Sequence, residues 1–372
     1  MDHIKTQTPY KVPNWKRLTL PESLFPVVSA SVLETVQPKG AHHTLMPYHG
    51  DEAHQLTETG FKTDAFSKHL GGDFLRYIDG ESKQGHVIKT HVHTPDVQKI
   101  KIEYQLNDQT PYQVENHLII AEEGTKLEVV LDYSVLNGTE ATKLEKHHYG
   151  TTRVIAKRGS QVRLVKVQRL SDEDHYFDQV LCQVEEGANL ELIDVQFGSR
   201  NKAIAYETHL LGRHANATLH SLYFGEEHAQ LDLSFTMKHF GAQSTSTILS
   251  KGALSGNSKK TFRGNLIFET GAAQSVGREK EVVVLLDERV KSDSIPALLC
   301  SEDDVIGEHA ASVGQLDGEK VFYLMSRGLS FMEAKKLVIK AAFEEVLMTL
   351  GDETLKASLE EALDWRLSHG IQ

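Results

Sequence analysis

Glu122-Glu123-Gly124-Thr125-Lys126-Leu127-Glu128-Val129, Lys157-Arg158-Gly159-Ser160-Gln161-Val162-Arg163-Leu164 and Glu185-Glu186-Gly187-Ala188-Asn189-Leu190-Glu191-Leu192 are three copies of one unit. In each, a glycine within a polar turn precedes a run that alternates apolar and polar residues, the period of a half-buried strand. The glycines lie 35 residues apart (124 to 159) and then 28 (159 to 187). Looser copies follow at His214-Ala215-Asn216, Gly241-Ala242-Gln243 and Gly271-Ala272-Ala273, with Gly241 and Gly271 taken as the turn glycines. A unit of this length cannot bury its apolar face alone, so neighbours stack into one continuous core. The expected fold is mainly β, a solenoid of stacked strands; an ordinary antiparallel sandwich, whose strands also alternate and turn at glycine, is the alternative.

Around this region the texture changes. Alternation extends from about residue 84 to 315, with Ile100-Lys101-Ile102-Glu103-Tyr104 its cleanest stretch. Before it, residues 1–83 mix short apolar runs with Pro13, Pro21, Pro26, Pro38 and Pro47, and read as a small mixed or helical part. A helix is expected at Ala65-Phe66-Ser67-Lys68-His69-Leu70, broken by Gly71-Gly72. The solenoid is expected over 84–318 and a helical region over 319–372. There, Ser330 and Glu333 have capping-box spacing, and Ala334, Leu337, Val338, Ala341, Val346 and Leu347 form an approximate apolar stripe that Gly351 stops. A second helix over 353–367 takes its apolar content from Leu355, Leu359, Ala362, Leu363 and Trp365.

Composition narrows the function. With 52 acidic and 40 basic residues the chain carries a formal charge of -12, which disfavours a nucleic-acid partner. Two cysteines, Cys182 and Cys300, make a disulfide framework improbable. No apolar run reaches the roughly 18 residues that span a bilayer, and no signal-peptide pattern opens the chain, so a soluble cytoplasmic protein is expected. Twenty histidines are scattered along it. His91-Val92-His93 has the i, i+2 spacing that puts two imidazoles on one face of a strand, whereas the adjacent His147-His148 would point to opposite faces. Cys182, in an apolar strand, reads as a small core residue. Cys300 and His309 offer sulfur and imidazole, which suit iron, zinc or copper, but two donors need a partner chain to complete a site.

No G-x-x-x-x-G-K-[ST] loop, H-E-x-x-H, G-x-S-x-G or dinucleotide fingerprint occurs. The chain is therefore expected not to be an enzyme. Asp303-Asp304 is read as a solvated turn rather than a catalytic carboxylate pair.

The C-terminal stretch carries a resemblance. Pro296-Ala297-Leu298, Asp303-Asp304-Val305, His309, Val313-Gly314-Gln315-Leu316-Asp317 and Phe322-Tyr323-Leu324-Met325-Ser326-Arg327-Gly328-Leu329-Ser330 resemble the core of the SufB/SufD family, scaffold components of the SUF iron-sulfur cluster assembly system. Phe262-Arg263-Gly264 and Glu281 to Asp287 are similar to it as well, and the chain looks more like SufD than SufB. The resemblance implies a right-handed parallel β-helix with helical parts at both ends, pairing with a SufB-like subunit, and a C-terminal dock for a SufC-like ATPase. Residues near Pro296, Phe322, Tyr323, Arg327 and Leu337 are the partner-binding candidates. His309 falls on an interface histidine implied to hold iron or a nascent iron-sulfur cluster shared with SufB; many SufD sequences carry a cysteine where this chain has Gly307. Whether Cys300 replaces it stays open, as does a homodimer of the isolated chain. The alternatives from other classes are a β-helical carbohydrate-active enzyme and a histidine-rich metalloenzyme built on His91 and His93.

Overall fold

A computed structural model describes residues 43–47, 61, 66, 70, 72–82, 84–91, 96–135 and 144–369. Eighteen strands among them form two sheets that face each other. One sheet runs β1 (His43–Pro47), β2 (His86–Thr90), β4 (Tyr112–Ala121), β6 (His147–Ala156), β8 (His175–Val184), β10 (Asn201–Leu210), β12 (Gln230–His239), β14 (Lys259–Phe268) and β16 (Lys291–Ser294), with β17 (Ala297–Cys300) also on β14. The other runs β3 (Gln98–Leu106), β5 (Lys126–Val135), β7 (Gln161–Arg169), β9 (Asn189–Phe197), β11 (Asn216–Gly225), β13 (Thr245–Leu254), β15 (Ser275–Leu285) and β18 (Val305–Gln315).

From β2 to β16 even strands lie on one sheet and odd strands on the other, β17 then joins the even sheet and β18 the odd one, and every pairing is parallel; only β1 with β2 is antiparallel. Each coil therefore lays one strand on each sheet, a parallel β-solenoid, and the sandwich alternative falls. Inside, Leu127, Val129, Leu131 and Tyr133 of β5 meet Val154, Ala156, Val180 and Cys182 of the opposite sheet in one core. Burial of this kind contributes about 25 cal/mol per Å² of apolar surface.

Both outer faces are covered too, which is why most strands are buried on both sides rather than half-exposed. Helix α1 (Gly72–Glu81) lays Phe74, Tyr77 and Ile78 on Val114, Tyr149, Phe177 and Ala203. The buried Arg153 guanidinium pins it, donating to Asp79 at 2.9 Å and to Asn116 at 2.6 Å. On the other sheet α3 (Phe331–Leu347), a 3₁₀ turn (Met348–Leu350) and α4 (Glu353–His369) cover Val165, Val167, Ile193, Val195 and Leu222. A short α2 (Gly318–Ser326) leads into them.

Four expectations need correction. Gly72 opens a helix instead of breaking one, and most of 65–71 lies outside the described residues. The buried stripe of α3 is Ala334, Ile339, Phe343, Val346 and Leu347, while Leu337 and Ala341 face outward. The sheet beneath selects this face, and its i, i+4 members outweigh an equally apolar neighbour stripe. In α4 the core-facing set is Leu355, Leu359, Leu363 and Leu367, and Trp365 is exposed. Finally, the left-handed turn residue of the later copies is His214, Gln243 and Gln274; Gly241 has no positive φ, and Gly271, at φ 101°, stands three residues before Gln274. The capping box stands as read: Ser330 accepts from the Glu333 amide, and Glu333 from the Ser330 amide at 2.7 Å. Gly351, at φ 66°, ends the helical run before α4. No helix among the described residues is long and apolar enough to cross a membrane.

Candidate functional site

The last coil, β17 and β18, has no further coil upon it among the described residues. β18 pairs with β15 in parallel register, Gly277 with Gly307 and Glu279 with His309. Paired residues in a ladder share a side and residues two apart share a face, so Gly307 and His309 point inward over Gly277 and Glu279. A Cβ at Gly307 would lie 2.5 Å from Leu298 Cδ1, which shows what occupies the inner space there. A cysteine at 307 would have to displace Leu298. Alternation along β17 puts Cys300 on the same inner side as Leu298, in register with Phe268.

His309 is exposed because the coil ends with it, yet the Glu279 beneath it is 3% exposed with neither carboxylate oxygen hydrogen-bonded. Burial, then the charge of Glu281, push Glu279 up to about 7, with Lys260 opposing. An imidazole in register above a buried carboxyl, with an exposed thiol on the same coil, offers donor types that borderline divalent metals accept. Cys300, His309 and Glu279 do not form a three-donor group within 4.8 Å among the described residues. Ligands from another chain, or movement of these, would have to close it.

Beneath this end a column of buried polar side chains fills the solenoid midline. Lys260 donates to Glu281 at 2.6 Å, with Tyr223 on the same carboxylate at 2.9 Å. Asp194 takes Tyr206 at 3.0 Å and Gln196 at 2.7 Å, and burial raises its carboxyl to about 6. Lys166 meets Asp178 at 2.8 Å. Farthest from the open end, Glu115 accepts from Tyr133 and Gln113 and lies 3.2 Å from His148 Nε2. Each charge has a counter-charge or donors, the condition for keeping ions in a dry core.

The helical candidates form a second surface. Asp317 caps α2, accepting from the Glu319 and Lys320 amides at 3.1 Å. Phe322 is 74% and Tyr323 56% exposed, and the Arg327 guanidinium lies 5.2 Å from the Tyr323 ring centre. Leu337 is exposed on α3, and Pro296 is half-buried between β16 and β17. A cleft of about 720 Å³ opens beside Phe322, Met325 and Phe331, walled by Leu286, Arg289 and Lys335.

Among the other sequence candidates, Cys182 is fully buried in β8, and burial pushes its thiol up to about 12. β2 ends at Thr90, so His91 has left the strand, and His93 lies outside the described residues. His147 and His148 do face opposite ways. His148 joins the Glu115 cluster inside; His147 lies outside with Glu145 and His175, a three-donor group that residue spacing did not reveal because its members come together through strand register.

A parallel β-solenoid with a histidine on its last coil and a helical pair packed on one sheet places the chain in the class of repeat-built β-solenoid proteins. The family model described as SUF system FeS cluster assembly, SufBD core domain, matches residues 104–342, and the chain belongs to that family. An iron-sulfur cluster assembly SufBD family protein of Mycobacterium leprae is 29% identical over 249 residues, covering 66% of this chain and 28% of that one. Its counterpart in Staphylococcus haemolyticus is 27% identical over 241 residues, covering 65% and 51%. The matched stretch thus spans about a quarter to a half of the length of these curated relatives.

Proposed function

We propose that this chain is a non-enzymatic, SufD-like scaffold subunit of the cytoplasmic SUF machinery for iron-sulfur cluster assembly. In this reading it pairs through its last coil with a SufB-like subunit and offers His309 to an iron or cluster site shared between the two. Cys300 and the unpartnered Glu279 carboxyl are the neighbouring donors. The exposed faces of α2 and α3, with Phe322, Tyr323, Arg327 and Leu337, dock a SufC-like ATPase, and ATP hydrolysis belongs to that partner.

The observation that carries the reading is the end of the solenoid: among the described residues β18, 11 residues long, has no strand on its outer edge, with Leu299 57% and Ile306 52% exposed nearby. Such an edge invites another strand. Co-expression with SufB-like and SufC-like subunits is expected to give a complex that co-purifies; no association in any pairing would sink the proposal. Within that complex His309→Ala is expected to lower bound iron at least about tenfold while leaving the complex assembled, as loss of a direct ligand should. Unchanged iron would leave His309 a structural residue of the interface.

A further inference from the structure

We propose that Glu145, His147 and His175 bind one divalent first-row transition ion, of the Zn²⁺ or Fe²⁺ kind, on the outside of the solenoid, with Asn201 as the residue that orients His175. Four successive strands build the site: Tyr112, His147, His175 and Asn201 are in register across β4, β6, β8 and β10. Continuous ladders fix these backbones, so the two imidazoles are held together before any ion arrives. Their rings stack with centroids 4.5 Å apart and planes 13° from parallel, and Tyr112 backs His147 at 5.0 Å. Glu145 enters from the residue pair before β6, its Oε2 3.2 Å from His175 Nε2.

One donor atom from each residue lies within 4.8 Å of the other two. Ligands around a shared tetrahedral ion sit about 3.3 Å apart at metal distances of about 2.0 Å, so closure needs side-chain movements of about an ångström. Two imidazoles and a carboxylate suit Zn²⁺ and Fe²⁺ and leave positions for water.

Asn201 points independently to a ligand. Its Oδ1 is buried without a hydrogen-bond partner, while its Nδ2 lies 3.0 Å from His175 Nδ1. In that arrangement Nδ1 accepts, and His175 carries its proton on Nε2, toward Glu145. Turning the amide over brings Oδ1 to Nδ1, which then carries the proton and leaves the Nε2 lone pair free for the ion. In that second arrangement Oδ1 gains its bond and Nδ2 takes the buried place beside it. His175 on β8 lies four strand spacings from β16, about 19 Å along the axis, and His147 one spacing farther, so the site is separate from His309.

The test uses the full chain with His309→Ala, which removes the imidazole of the last coil, titrated anaerobically with Co²⁺, Zn²⁺ and Fe²⁺. Saturable binding of one ion per chain, a Co²⁺ ligand-field spectrum and a rise in unfolding temperature are expected. Glu145→Gln, at a half-exposed position that does not threaten folding, is expected to weaken binding at least about tenfold, and His147→Ala with His175→Ala to abolish it. Asn201→Ala is expected to weaken it about 10–100-fold, and Asn201→Asp to retain it. Absence of a saturable ion in the His309→Ala chain, or equal affinity in Glu145→Gln, would overturn the assignment; neither result bears on the shared site at His309.

Discussion

Lys202 spans the boundary between the solenoid and its C-terminal helix. Fully buried in β10, its ammonium reaches the Phe224 carbonyl at 3.1 Å, and nearby Arg366 of α4 holds Asp172 at 2.7 Å and Glu226. Burial first, then Arg366, lower the Lys202 pKa to about 7, against the pull of Asp172, Glu226 and Asp194. The unfolded chain takes up the proton near the ordinary lysine value while the folded one waits until about 7. Stability is therefore lost as pH falls from about 10.5 to about 7 and is level below that. Lys202→Met removes the titration. Its stability advantage over the native chain is expected to grow by on the order of 3 kcal/mol between pH 10.5 and pH 7, read from urea unfolding at several pH values. A difference that stays flat with pH would refute this account. Single residues were the least legible part of the sequence. His147 and His148 show their opposite directions by simple alternation, but Glu145, His175 and Asn201 are contributed by register, and register needs the coil lengths of the folded chain.

At the level of the element, the turns form a ladder of their own. The amide of each left-handed turn residue donates to the carbonyl one coil on: Gly124 to Arg158 at 3.0 Å, Gly159 to Glu186 at 2.9 Å, Gly187 to Arg213 at 2.9 Å, His214 to Ala242 at 3.1 Å. The first three copies announce this position with glycine, which takes positive φ freely. His214, Gln243 and Gln274 occupy it in the later copies, held by the same ladder at the cost that any Cβ meets there. Glycine alone therefore misplaced the later turns, and Gly212 shows why a glycine nearby is a different matter. A Cβ on Gly212 would lie 2.1 Å from the Glu186 backbone nitrogen, whereas one on Gly187 meets nothing within 4 Å. Gly187→Ala is expected to cost about 1–2 kcal/mol through φ alone, and Gly212→Ala distinctly more because backbone must shift. Guanidinium unfolding midpoints rank the two; a Gly187→Ala variant the less stable of the pair would contradict the assignment. The helix α3 was half legible for a related reason: its cap is a local signal, but two apolar stripes compete, and only the covered sheet chooses between them.

For the whole molecule, the period of the repeats favoured the solenoid, because stacking lets such units bury their faces, and the parallel pairing of successive coils decides it against the sandwich. The sequence did not disclose how the outside is closed. α1 covers one sheet and α3 with α4 the other, and among the described residues nothing stacks on β17 and β18. Repeat stacks normally need a polar cap at such an end, and here apolar Leu299 and Ile306 stand exposed instead. In the proposed reading, a second chain covers them. Leu299→Lys together with Ile306→Lys places two charges on that end without touching a buried contact. The isolated double variant is expected to unfold within about 0.5 kcal/mol of the native chain, as exposed substitutions do. Co-expressed with the SufB-like subunit, it is expected to lose at least about tenfold in association, because like charges on an edge strand repel an incoming strand. Size-exclusion chromatography with light scattering reads both the complex and any homodimer of the chain alone. A stoichiometric complex formed by the double variant at native strength would move the interface elsewhere, to the helical face around Phe322.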